Sequence, residues 1–296
     1  MRNTKDETYY NLMMVPAMAL LFVFSIVPMF GIIIAFQKFV PARGFFGSKL
    51  VGLANFQTLF TFPDVGQVFF NTIFIAVCKI ALGLVVPVLF ALILNETPFH
   101  GFKRVVQTIV YLPYFLSWVV LAVIFTNVFS YTGMVNGFLG LFGAQPRMFM
   151  IDNAVFRPIL IGTDVWKNFG YSAIIYLAAI TAIDTGLYEA AYIDGATRFQ
   201  TIRLVTLPSI VSTIVLMATL SLGNVLNAGF DQIFVMYTPL TYKTADIIDT
   251  YVYRMGLINL QYSFATAVGL LKSVVSFLLI VVSYVLADRY AGYRIF

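Results

Sequence analysis

The sequence predicts an all-α integral membrane protein with six transmembrane helices. Hydrophobic residues fill 60% of its 296 positions and charged residues only 10%, against roughly 25% charged in a soluble globular domain. The mean hydropathy is +0.91. The apolar residues gather in runs of the roughly 20 positions that a helix needs to cross a bilayer. A water-soluble fold of this length could not hide so much apolar surface. The net charge of +5 is met by basic loops facing anionic lipid and requires no nucleic-acid partner.

The first run, about 12–36, reads "LMMVPAMALLFVFSIVPMFGIIIAF" and carries no charge. It is longer than a signal-peptide core and lacks a convincing cleavage site after it, so it is expected to be retained. The second run covers about 69–94 with Lys79 inside it, and the third 109–129. The fourth, about 159–183, holds Asp164 and Lys167 near its start. The fifth, 208–228, opens on Pro208, and the sixth, about 264–287, contains Lys272. An even number of crossings puts both termini on one side. That side holds Arg2, Lys5, Lys103, Arg104, Arg198, Arg203, Arg289 and Arg294 in short segments. The other holds Lys38, Arg43, Lys49, Arg147, Arg157, Lys243 and Arg254 in longer loops. The denser set marks the cytoplasm, so both termini are expected there. On this reading residues 1–296 form a single transmembrane domain with a cytoplasmic loop at 184–207.

Several chemistries are excluded. Cys78 is alone in an apolar run, which leaves no disulfide framework and no thiolate metal site. His100 is also alone, which removes zinc-protease and histidine-triad chemistry. No GxxxxGK[ST] phosphate loop occurs. Within the spans there are no paired carboxylates and no nucleophile–base set. The chain is expected not to be an enzyme and to bind no metal or cofactor itself.

The polar stretch "EAAYIDGATRFQTIRLVTLP", Glu189 to Pro208, stands between the fourth and fifth runs. Glu189 to Ile193 favours helix, and Gly195 permits a sharp break. Thr197 and Gln200 have capping-box spacing for a second short helix. Pro208 is tolerated in the first turn of the fifth span. A helix lying on lipid should pair a basic face with bulky apolar residues. Here Glu189 and Asp194 stand beside the small residues Ala190, Ala191 and Ala196, which let a partner's backbone approach closely.

The pattern Glu189-Ala190-Ala191, then Asp194-Gly195-Ala196, then Val205-Thr206-Leu207-Pro208, resembles the signature loop of binding-protein-dependent ABC importer permeases of the type I fold. "LILNETPFHGFKRVVQTIVYLPYFLSWVV" and "GFDQIFVMYTP", followed by "IIDTYVYRMGL", are similar to the subgroup that imports complex oligosaccharides and polysaccharides. Thr185-Gly186 stands where the family often has proline near the helix start, which should weaken that cap. The resemblance covers nearly the whole chain. It implies a bacterial inner-membrane permease paired with a second, related permease. Two cytoplasmic ATPase subunits would carry ATP and Mg, and an extracytoplasmic solute-binding protein would deliver cargo. It also implies that Glu189, Ala190, Ala191, Asp194, Gly195, Ala196, Leu207 and Pro208 form the ATPase-coupling loop.

Charges inside a bilayer are costly and face a bundle interior or a wet cavity. Asp164, Lys167, Asn168 and Tyr171 fall on one face of the fourth helix. They read either as an ion pair near the outer interface or as a polar stripe at a cavity mouth. Asn224, Asn227 and Asp231 have the same spacing at the end of the fifth span, where they could bind sugar hydroxyls or hold helices together. Lys79 and Lys272 lie deep in their spans. Three lysines against one aspartate give an interior of about +2, which points to acidic saccharide cargo unless carboxylates of a partner subunit neutralise it. The competing reading is an ion-coupled secondary transporter using Asp164 or Lys79. No inverted repeat supports it, and it leaves the polar loop without a purpose.

Overall fold

The computed structural model describes residues 4–223 and 225–291. Helix α1, Thr4–Leu21, runs on through a π turn at Phe22–Ile26 and the short piece Val27–Met29 into a 3₁₀ stretch, Phe30–Phe36. Strands β1, Gln37–Lys38, and β2, Lys49–Leu50, follow. Then come α2, Ala54–Thr61; α3, Pro63–Glu96; α4, His100–Tyr111; α5, Trp118–Val128; α6, Met134–Gly140; and α7, Asn153–Thr181. Helix α8 is Thr185–Ile193 and α9 is Arg198–Leu222. Helix α10, Phe230–Met236, is followed by short helical turns at Pro239–Thr241, Tyr242–Ala245, Ile248–Tyr253 and Arg254–Ile258, and then by α11, Tyr262–Ala291.

Four helical runs are long and apolar enough to cross a membrane, and two further bent pairs raise the number to as many as six if each pair is one span. The small β1–β2 ribbon, paired antiparallel with Gln37 opposite Leu50, is an addition to the all-α expectation.

Two expected spans change shape. The third was expected as one helix over 109–129. It breaks instead, with α4 and the 3₁₀ turn Leu112–Phe115 meeting α5 at 105°. Pro113 cannot continue the α-helical ladder. Leu116 is extended, and the Ser117 side chain accepts from the Val120 amide to start α5 afresh. The fifth was expected over 208–228. Helix α9 begins ten residues earlier, at Arg198, and ends at Leu222. Its π turn, Ile202–Thr206, precedes Pro208 and relieves the clash of a proline ring with the preceding turn. The fourth helix begins at Asn153, earlier than expected, because Asp152 caps it through the Ala154 amide at 2.9 Å.

Contacts divide the chain into two compact units, Met1–Pro63 with Tyr251–Leu271, and Asp64–Thr250 with Lys272–Phe296. In the first, Asn55 Nδ2 donates to the Ala35 and Gln37 carbonyls at 2.8 and 3.0 Å. Buried Gln37 donates to the Phe45 carbonyl, and the Phe39 amide donates to Ser263 Oγ. These bonds fold the stretch after α1 into a compact element. The α1 side chains from Tyr9 to Phe30 are exposed, as expected of a helix whose surroundings are lipid or another subunit.

In the second unit, α3, α7 and α10 share a core that includes Ile75, Phe156, Leu160, Ile233 and Ile247. Nearer the α8–α9 end, Ala91, Ala173, Tyr176 and Ile210 pack together. Gly170 lets α7 approach α4 closely, since a Cβ there would meet the Val110 carbonyl. The segment after α10 hangs on α3 and α7 by polar bonds. Asn71 donates to the Lys243 and Asp246 carbonyls, and Arg157 donates to Asn71 Oδ1 and to the Thr244 carbonyl. Arg157, expected in an outer loop, therefore lies within α7.

Asp152 also pairs with Arg147. The Ala154 amide first, and then Arg147, hold its carboxyl below the ordinary value of 3.8. A depressed carboxyl pKa adds stability that is complete above the unfolded value and is lost as pH falls through the folded one. Amide protection at the start of α7 is therefore expected to be constant near neutrality and to fall as pH drops below 3.8. Hydrogen exchange across that pH range measures it, and Asp152→Ala should remove the pH dependence.

Candidate functional site

Two places in the second unit gather the chemistry, a polar hairpin at 184–207 and a polar cavity beside the end of α9. The hairpin is built by local rules. Asp184 caps α8 by accepting from the Gly186 amide at 2.9 Å, so the absence of proline there does not leave the helix uncapped. Gly195 then turns the chain with φ +75°, a conformation costly for residues with a Cβ. Thr197 and Gln200 form the expected capping box at the start of α9. The Tyr188 hydroxyl and buried Thr206 Oγ1, 3.1 Å apart, tie the two arms together.

Between the arms lies a cavity of about 310 Å³ whose lining includes Ala190, Ala191, Asp194, Ala196 and Gln200. Glu189 is exposed on the hairpin, and so are Tyr192, Ile193 and Phe199, three bulky residues that the loop's small-residue pattern did not single out. Leu207 and Pro208 lie inside α9 rather than at the head of a new span.

The second place is a cavity of about 290 Å³ lined by Lys79, Asp164, Ser172, Ser221, Asn227 and Gly229 among others. Lys79, reaching from α3, ion-pairs with Asp164 at 3.2 Å. It also donates to the Ala228 carbonyl at 2.8 Å and to Gln232 Oε1 at 2.5 Å. Gln232 is fully buried, and its amide nitrogen donates to the Leu160 carbonyl and to Thr163 Oγ1 on α7. Asp164 thus faces Lys79, and the expected pairing with Lys167 gives way.

Lys167 is buried and serves the break in the third span. It donates to the Tyr114 carbonyl at 2.6 Å and to the Pro113 carbonyl at 3.4 Å, and its ammonium stands 5.3 Å from the Tyr114 ring centre. Tyr171 stacks on Tyr114 with centroids 3.9 Å apart. Asn168 donates back to the Asp164 carbonyl of its own helix. The stripe on α7 is therefore real as a face, but its members engage different neighbours.

Asn227 and Asp231 do not share a helix face, because α9 stops at Leu222 and α10 starts at Phe230. Asn224 lies outside the described residues. Asn227 is exposed at the cavity, and Asp231 sits in the first turn of α10, where a carboxylate favours the helix dipole. Lys272 pairs with Asp249 at 2.5 Å. With Lys79 matched to Asp164 and Lys272 to Asp249, the expected surplus of about +2 over these side chains falls to about +1, carried by Lys167. Gln232, Asp249 and Gly229 were missed. Each acts through partners remote in sequence or through backbone shape.

Residues 83–292 match the family of binding-protein-dependent transport system inner membrane components. The chain belongs to this family. Over 286 residues it is 40% identical to the polygalacturonan/rhamnogalacturonan transport system permease protein YteP of Bacillus subtilis (strain 168), covering 96% of this chain and 89% of the relative. Over 277 residues it is 38% identical to protein LplB of the same organism, covering 93% and 87%. It is also similar to a chain in the crystal structure of a bacterial ABC transporter involved in the import of the acidic polysaccharide alginate. The TM-score is 0.89 at 36% identity, with 97% of each chain covered. A second structure of the alginate transporter, in complex with an alginate pentasaccharide-bound periplasmic protein, gives a TM-score of 0.88. Membership makes this chain an ABC permease of the helical type I fold, an inner membrane component rather than an ATPase.

The hairpin turn of this permease is testable. Gly195→Val should cost about 1–2 kcal/mol, the penalty for a left-handed residue with a Cβ, and should speed protease cleavage within 184–207. Gly195→Asn should be milder, because asparagine tolerates that conformation.

Proposed function

We propose that this chain is one of two transmembrane subunits of an ATP-driven importer of oligosaccharides or polysaccharides, with acidic saccharides as cargo. The observation that carries the reading is the near full-length likeness to the alginate importer chain. The likeness to the polygalacturonan/rhamnogalacturonan permease supports the same cargo class, since galacturonan too is a polymer of uronic acid. On this reading the chain is a single permease domain. It crosses the bacterial plasma membrane six times with both termini in the cytoplasm, the bent pairs α4–α5 and α7–α8 each counting as one crossing. The hairpin 184–207 then lies in the cytoplasm, where one of two ATPase subunits grips α8 through Glu189 and the alanine-lined recess. ATP and Mg belong to those subunits, and this chain hydrolyses nothing. A solute-binding protein delivers cargo from outside.

The cavity beside Lys79 and Asp164 forms one wall of the passage. Its volume of about 290 Å³ lies at the lower edge of ligand pockets, roughly 300–1,000 Å³. A second, related permease therefore supplies the facing wall. Asn168, Tyr171 and Asn227 contribute polar and aromatic surface suited to sugar hydroxyls and ring faces. Acidic cargo no longer rests on a surplus of lysines, since two of the three are paired within the chain. It rests on the relatives.

Reconstitution of the full complex in proteoliposomes tests this. Uptake of uronate oligosaccharides should require ATP and the binding protein and should persist when the proton gradient is collapsed. Uptake that follows the proton gradient and ignores ATP would replace this reading with an ion-coupled carrier.

A further inference from the structure

The Lys79 ammonium has three protons and three oxygen partners, one each from Ala228, Gln232 and Asp164. Its donors are fully used inside the chain, and its side chain is 9% exposed against 21% for Asp164. The lysine therefore stands behind the carboxylate. Gly229 makes this seat possible. It has φ +95°, and a Cβ on it would come within 2.8 Å of Lys79 Nζ. Among the described residues that line this cavity, Lys79 and Asp164 are the two that carry charge, and the others are neutral. The wall is thus neutral because the lysine cancels the aspartate.

We propose that Lys79 is the positioning residue that sets the charge preference of the passage. From behind the wall it neutralises Asp164 and holds the Ala228–Gly229 break in place, so that an anionic saccharide meets no net repulsion. Lys79 does not itself bind cargo. This inference rests on the acidic-saccharide reading above, and it reverses the simplest expectation for a buried lysine near anionic cargo, which is direct contact.

Four versions of the complex separate charge from structure. The wild type has a neutral wall, Lys79→Met a negative one, Asp164→Asn a positive one, and the double variant Lys79→Met, Asp164→Asn a neutral one again. The readout is the ratio of kcat/KM for an acidic uronate pentasaccharide to that for a neutral pentasaccharide, in proteoliposomes. Lys79→Met should lower the ratio by about tenfold or more, since an uncompensated like charge in a dry site is strongly repulsive. Asp164→Asn should raise it. The double variant should return it to within about threefold of wild type, as coupled neighbours do in a double-mutant cycle. If Lys79→Met does not assemble, the rise in Asp164→Asn and the recovery in the double variant still decide. A ratio indifferent to all four versions, with both sugars falling together, overturns the role given to Lys79. Wild-type complex that moves neither sugar overturns the cargo reading instead.

Discussion

Inside a bilayer every backbone carbonyl released from a helix must find a partner in the protein, because there is no water to supply one. Among the described residues, two interruptions of helix fall within apolar sequence, one at 112–117 and one between Leu222 and Phe230. At each interruption a lysine from a neighbouring helix donates to freed backbone carbonyls, two at the first and one at the second. Lys167 of α7 reaches the Pro113 and Tyr114 carbonyls, and Lys79 of α3 reaches the Ala228 carbonyl. On the six-crossing reading, a charge that is costly in hydrocarbon would be the means by which bent backbone is tolerated there. The site in the second unit is built around these two closures, which lie next to the starts of α5 and α10.

The second closure joins the two functional places. Helix α9 spans 25 residues from the capping box to the break, about 37 Å at 1.5 Å per residue. One end is anchored in the hairpin through Thr197 and Tyr188–Thr206. The other end lines the cavity through Ser221. On the proposed function, this helix is the element through which a displacement of the hairpin would reach the cavity wall, and the π turn ahead of Pro208 is its one irregular point between Arg198 and Leu222. Rigid handles of this kind let an event at one end bias a two-state bundle at the other.

The hairpin was legible in the sequence because its determinants are local. A cap, a left-handed glycine and a capping box act within a few residues, and Thr197, Gln200 and Gly195 do what their spacing implies. The existence of the apolar crossings was legible for a similar reason, since hydropathy is summed over a window. The breaks were not, because hydropathy is blind to direction. Both "YLPYFLSW" and "LSLGNVLNAGF" stay apolar enough to pass as continuous helix. The fate of the lysines was illegible for a different reason. Lys79 finds its oxygens 149 and 153 residues away, and Lys272 finds Asp249 on a segment that read as an outer loop. Counting charges along the chain cannot anticipate pairings made across it.

Hydrogen–deuterium exchange on the assembled complex in nanodiscs tests most directly whether lysines close the broken helices. With Lys167→Met, protection should be lost around 112–118 and kept around 223–232. With Lys79→Met, the loss should appear around 225–232 and spare the other break. Unchanged protection at both breaks in both variants would contradict the account, because the interruptions would then be satisfied without the ammonium groups.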